Sequence, residues 1–114
     1  MTDCLFCKIR DGQVPTTLTH RDEELMAFKD INPRAPFHQL VVPTRHVPSL
    51  STAVPDDAAL FGRLMLMGAQ LARDAGYGES GFRVVMNAGR DAGQTVFHVH
   101  LHVLAGRVLA WPPG

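Results

Sequence analysis

Three histidines at strict two-residue spacing, His98, His100 and His102, alternate with Val99, Leu101 and Val103. Successive side chains of an extended chain point to opposite sides, so this run puts three imidazoles on one face of a β-strand and three aliphatic groups on the other. The aliphatic set, with Phe97 ahead of it, predicts a strand over Phe97 to Ala105 anchored in a hydrophobic core. The imidazole face is a candidate active surface. Residue chemistry alone leaves three uses open for it: catalysis, a metal chelate, or a solvated face without a role. The preceding segment, Asn87 to Thr95, carries Gly89 and Gly93 among small residues. Such a loop lets backbone amides approach an anion closely, and histidines beside it point to phosphate chemistry.

Hydrophobic patterning supplies the rest of the scaffold. Cys4 to Arg10 predicts a short helix ended by Asp11-Gly12. Thr16–His20 and Leu25–Lys29 predict two strands joined by the polar turn Arg21 to Glu24, and His38–Val42 predicts a third, closed by Pro43. Leu60, Leu64, Met67 and Leu71 recur at helical spacing between Pro55 and Ala75, with Pro55, Asp56 and Asp57 suited to the amino-terminal end and Gly76 or Gly78 to the stop. Met65 and Met67 are expected to pack in the core. Phe82–Ala88 and Phe97–Ala105 complete five strands. Hairpins with one long helix and a short N-terminal helix predict an α+β fold with an antiparallel sheet. The tail Trp111-Pro112-Pro113-Gly114 is neither helix nor strand, and its tryptophan is expected to pack on something, a partner subunit being one candidate.

At 114 residues the chain is expected to form one domain over 1–114. Eleven basic and eleven acidic residues leave no net charge with the histidines neutral, which argues against nucleic acid or a membrane surface as partner and suits self-association. The absence of a signal-peptide-like or membrane-spanning apolar run predicts a cytoplasmic protein. The only two cysteines, Cys4 and Cys7, read as half of a zinc site or as a redox pair. Redox pairs of this spacing usually follow a strand, and none precedes Cys4, so zinc is the preferred reading.

Taken together, Leu5-Phe6-Cys7-Lys8-Ile9, Phe28-Lys29-Asp30-Ile31-Asn32-Pro33, His38, Pro43-Thr44-Arg45-His46, Gly93-Gln94-Thr95, the alternating histidines and the closing Trp-Pro-Pro-Gly resemble the histidine triad superfamily. Within it, the chain looks most like the small nucleotide-binding proteins that act as purine nucleoside phosphoramidases. The resemblance implies a homodimer in which two five-stranded sheets join into one ten-stranded sheet, with a purine nucleotide site in each subunit.

By this resemblance His100 is the nucleophile that attacks the α-phosphorus and becomes transiently nucleotidylated. His102 contacts the phosphate, Asn87, Gly93, Gln94 and Thr95 belong to the phosphate-binding group, and His38 supports the triad. Asp30 accepts hydrogen bonds from the ribose hydroxyls, while Leu5, Phe6, Ile9, Phe28 and Ile31 wall the purine. Cys4, Cys7, His46 and His98 match a structural zinc site found in several relatives, which would withdraw His98 from acid catalysis. No cofactor is implied for the chemistry itself. Lys29 replaces a histidine common beside the ribose-binding carboxylate, a departure expected to bear on purine affinity. The implied reaction is P–N cleavage of a nucleoside 5′-phosphoramidate. Hydrolysis of dinucleoside polyphosphates and a nucleotide-binding interaction role are the alternatives.

Overall fold

The computed structural model describes residues 3–114, folded as a five-stranded antiparallel sheet with one long and one short helix. Elements run α1 (Leu5–Arg10), β1 (His20–Arg21), β2 (Leu25–Lys29), β3 (Phe37–Pro43), α2 (Ala58–Asp74), β4 (Phe82–Val85) and β5 (Leu101–Ala105). Spatial order is β1-β2-β3-β5-β4, so β5 is paired on both sides and β4 lies at an edge. No helix among the described residues is long and apolar enough to cross a membrane.

The sheet separates two apolar clusters. On one face Leu25, Ala27, Val41, Val99, Leu101 and Val103 pack beneath Leu60, Leu64 and Ala72 of α2. Each fully buried leucine there contributes roughly 1.5–3 kcal/mol through the water it sheds. Gly68 marks the closest approach of helix to sheet: a Cβ there would lie 3.0 Å from Val103 and 3.1 Å from Leu101. Met67 packs against this cluster as expected, whereas Met65 is 48% exposed. On the other face Phe6 and Ile9 of α1 pack on Met26, Phe28, Leu40 and Val42. The alternation of β2 also puts Lys29 on the same side as Leu25 and Ala27, opposite to Phe28. That placement removes the expected link between Lys29 and the ligand face.

Several element limits differ from the sequence expectation for identifiable reasons. Of the expected strand Thr16–His20 only His20 joins the sheet, together with Arg21 from the expected turn; Pro15 just before it has no donor, and Val14 and Leu18 turn onto the α1 cluster instead. The hairpin turn is tightened by Asp22, whose carboxylate accepts from the Glu24 and Leu25 amides. The long helix proper begins at Ala58, after a 3-10 turn at Pro55–Asp57 in which the Asp57 carboxylate accepts from the Val54 amide and from Arg45. It stops as expected at Gly76, which adopts φ +92. The fourth strand ends at Val85 and the fifth begins at Leu101, because Val85 against His102 is the last pair before the chains diverge. Upstream of that point the Val99 amide donates to Val47 O rather than to a neighbouring strand. The Trp111 ring is 80% exposed, with the Arg83 guanidinium 6.0 Å from its centroid.

Candidate functional site

The alternation of the histidine run survives the shortening of β5. Val99, Leu101 and Val103 enter the α2-facing core, and the rings of His98 and His100 lie edge-on against Phe6 on the other face. Phe97 breaks the pattern: it is 53% exposed at a bend rather than buried with Val99. Each of the three imidazoles is fixed by a different partner.

His100 donates from Nδ1–H to the carbonyl of His98 at 2.9 Å, two residues back along its own chain. A carbonyl can only accept, so the proton sits on Nδ1 and Nε2 carries a free lone pair. The ring is 9% exposed, which limits hydration of that lone pair.

His102 is fixed by His38. The Arg34 amide donates to His38 Nδ1 at 3.0 Å, which forces the His38 proton onto Nε2, and that proton is donated to His102 Nδ1 at 2.9 Å. His102 therefore presents Nε2–H outward as a donor. Burial, reinforced by the neighbouring His100 and His38, pulls the His102 imidazole down to about 4, so the ring is neutral near pH 7. Burial likewise lowers His38, against the opposing attraction of Asp30. The Asp30 carboxylate lies 3.4 Å from His38 Nε2 and 3.8 Å from His102 Nδ1, and its other oxygen accepts from the Asn32 amide. These three side chains are close enough to hold an ion, but their facing nitrogens already share a proton.

His98 is fully buried and donates from Nε2–H to Pro43 O at 2.7 Å, so its Nδ1 is an acceptor. That atom faces Cys4 Sγ at 3.3 Å, Cys7 Sγ at 3.6 Å and His46 Nδ1 at 3.1 Å. His46 Nδ1 is 3.4 Å from Cys7 Sγ. Tetrahedral zinc with its usual bond lengths separates a bound sulfur from a bound nitrogen by about 3.6 Å and two nitrogens by about 3.3 Å. The four donors are thus already spaced for one ion, and burial holds His98 at about 4, in the neutral form that ligation requires. The local chain explains the convergence. Cys4 caps α1 with its sulfur towards the Cys7 amide, Pro43 closes β3 and delivers His46, and Phe6 wedges between the cluster and His100.

The glycine loop is organised by a residue expected to touch ligand. Gln94 is 5% exposed; its Oε1 accepts from Ser49 Oγ and the Gly89 amide, and its Nε2 donates to Pro48 O and Val96 O. Both ends are fully engaged inside the protein. The Gly93 amide closes the turn on Arg90 O with φ +87, leaving Thr95 exposed beyond it and Asn87 half-buried before it. Of the apolar residues assigned to a purine wall, Phe6, Ile9 and Phe28 are buried together, whereas Leu5 is 42% and Ile31 99% exposed. The contacts absent from the sequence reading are Ser49 and the carbonyls of Pro43, Val47 and His98. Backbone acceptors leave no residue-type signal, and Ser49 had only its place after Pro48.

Against known proteins, the sequence profile of the HIT domain matches residues 11–109. An uncharacterized HIT-like protein of Synechocystis is 47% identical over 112 residues, covering 98% of this chain and 97% of that one. The crystal structure of a HIT family hydrolase from Legionella pneumophila superposes with a TM-score of 0.96 at 41% identity, covering 98% of this chain and all of that one. A zinc-bound histidine triad family protein from Mycobacterium smegmatis superposes at 0.78 with 35% identity, covering 92% of this chain and 76% of that one.

Proposed function

Since the chain belongs to the HIT domain family, we propose that it is a nucleotide hydrolase that cleaves the P–N bond of purine nucleoside 5′-phosphoramidates through His100. The observation that carries this reading is the His100 Nδ1–H bond to the His98 carbonyl, which assigns Nδ1 as the donor and turns Nε2 towards attack. The similar Legionella protein, a HIT family hydrolase, supports a hydrolytic activity.

His100 Nε2 attacks the α-phosphorus, the P–N bond breaks, and the amine departs after taking a proton from solvent. Water then attacks the same phosphorus and loses a proton, the bond to Nε2 breaks, and the nucleoside monophosphate leaves. The neutral His102 donates from Nε2–H to a phosphate oxygen without carrying charge of its own, a role kept in place by His38. Thr95 and the loop around Asn87 and Gly93 supply further donors, while Gln94 holds that loop in shape. Asp30, acceptor-only when ionised, takes the ribose hydroxyls. The exposed Ile31 and Leu5 would contact the purine, with Phe6, Ile9 and Phe28 packed behind as an apolar backing.

The donor set of Cys4, Cys7, His46 and His98 fits zinc, which would stabilise the fold around the triad. Its occupancy leaves His98 without a role as acid. The β4 edge, whose residues Phe82–Val85 are all half-buried, is the place where a second subunit would extend the sheet.

The test is amine release from a fluorogenic adenosine phosphoramidate, with mass spectrometry of the quenched enzyme. His100→Ala should lose at least several hundredfold in turnover while still binding nucleotide, and only the unaltered protein should carry a nucleotidyl adduct. Equal rates in the two proteins, or faster cleavage of dinucleoside polyphosphates than of the phosphoramidate, would remove this reading.

A further inference from the structure

His98 has two attachments that belong to different regions. Its ring nitrogen Nδ1 faces the two sulfurs and His46, and its backbone carbonyl accepts the proton that orients His100. No residue intervenes, so a displacement of His98 is passed directly to the His100 acceptor. The ring has few alternatives: it is fully buried and held by Pro43 O, and the next amide is held by Val47 O.

The ligand set is open on one side. Cys7 and His98 are buried, whereas Cys4 is half-buried and His46 exposed. A groove of about 410 Å³ opens there, bordered by Asp3, Cys4, His46, Thr95 and Phe97. An ion reached through the outer pair of ligands can exchange with solution, and Thr95 brings the phosphate-binding loop to the rim of the same groove.

We propose that the Cys4–Cys7–His46–His98 centre is an exchangeable control site for a soft divalent cation, whose occupancy sets turnover at His100 through His98. Without an ion, His98 Nδ1 accepts from His46 Nδ1–H at 3.1 Å, and the sulfurs add only weak contacts of 3.3–3.6 Å. Loading sends the protons of the two sulfurs to solvent, moves the His46 proton from Nδ1 to Nε2, and replaces those contacts by bonds of about 2.0–2.3 Å. His98 Nδ1 is then tied through the ion to both sulfurs and His46 instead of to one imidazole, and its carbonyl keeps the His100 lone pair in one orientation. His98 is a positioning residue, so ion removal should lower kcat and leave KM unchanged. The kinetic arm rests on His100 being the nucleophile, whereas the binding and spectroscopic arms do not.

The experiment uses the full chain stripped by chelator and titrated with cobalt(II), then zinc. One tetrahedral sulfur–nitrogen cobalt spectrum per chain is expected, displaced by zinc. Zinc should pass to a chromophoric chelator within minutes, and its retention for days would overturn exchangeability. In ¹⁵N-histidine spectra the His100 Nδ1–H resonance should be sharp in the loaded protein and shifted or broadened in the stripped one. kcat should fall about tenfold on stripping and return with zinc. His46→Ala should weaken cobalt binding by about 10–100-fold, with the His100 signal following occupancy; Cys4→Ser serves if that variant does not fold. Identical His100 spectra and kcat with and without the ion would overturn the coupling. A His100 signal that follows occupancy in a protein with no turnover on phosphoramidates would sustain the coupling and defeat the catalytic reading instead.

Discussion

The two sides of the segment Phe97–Val103 use one backbone for opposite ends. On the α2 side Val99, Leu101 and Val103 are interchangeable in kind: aliphatic, at most 2% exposed, and held by non-directional packing. On the other side no two histidines have the same partner. His98 meets Pro43 O and the sulfurs, His100 meets the His98 carbonyl, and His102 meets His38. Packing tolerates exchange among residues of similar volume, whereas each imidazole depends on one hydrogen bond that sets its tautomer. The difference teaches that stability and chemistry are separable here at adjacent residues.

The sharpest way to break that separation is to compare neighbours. Leu101→Ala should cost about 2–5 kcal/mol of unfolding free energy, from lost burial and the cavity left under Gly68 and α2. The His100→Ala protein should melt much closer to the parent in urea while losing turnover. If the two variants destabilise equally, His100 is a core residue and the two sides are not distinct.

Acid should act first on the imidazole side. In metal-free protein His98 and His102 titrate at about 4, against about 6.5 in the unfolded chain. Between those values the unfolded state binds more protons, so stability rises with pH across this window. It should be complete above pH 6.5 and fall progressively towards pH 4. Urea midpoints at pH 7, 5.5 and 4.5 measure the slope, and His102→Gln should flatten part of it. A pH-independent midpoint would mean that the imidazoles are not held neutral by burial.

How far the sequence foretold this arrangement depends on which side is considered. Period-two alternation reports parity, and parity held even where β-pairing did not: His98 and His100 lie outside β5 yet still face away from Val99 and Leu101. Cys4 and Cys7 were legible as half of a candidate metal site because thiols are distinctive, whereas His46 and His98 joined them only through the family resemblance; the fold brings all four together. What escaped was the identity of the backbone acceptors, since the Pro43 and His98 carbonyls would exist with any residue there. Gln94 looked like a ligand contact because a polar side chain beside a glycine loop does not reveal whether its partners are inside or outside. The strand limits at Val85 and His20 escaped because pairing ends where a partner diverges, which is a property of two segments at once.

A smaller effect belongs to Asp30, whose carboxylate lies beside His38 without being its main partner. Asp30→Asn should raise KM for the phosphoramidate about tenfold, roughly 1.4 kcal/mol, with kcat changed less, because the proposed ribose contact would be made in ground and transition states alike. A fall in kcat at constant KM would instead place Asp30 in the His38–His102 relay.

The smallest expected effect tests the limits of parity itself. Phe97 has the same parity as Val99 but is 53% exposed, because the chain bends at Val96–His98 before the extended run begins. Phe97→Ser should therefore shift the unfolding free energy by only about 0.5 kcal/mol, the ordinary range for a surface position. Val99→Ala, two residues on and 1% exposed, should cost clearly more, because the methyls it removes are packed beneath α2. A large loss from Phe97→Ser that scales with protein concentration would show that a second subunit covers this ring. A large loss independent of concentration would show that the aliphatic side extends through the bend, and that alternation alone would then have been the better guide.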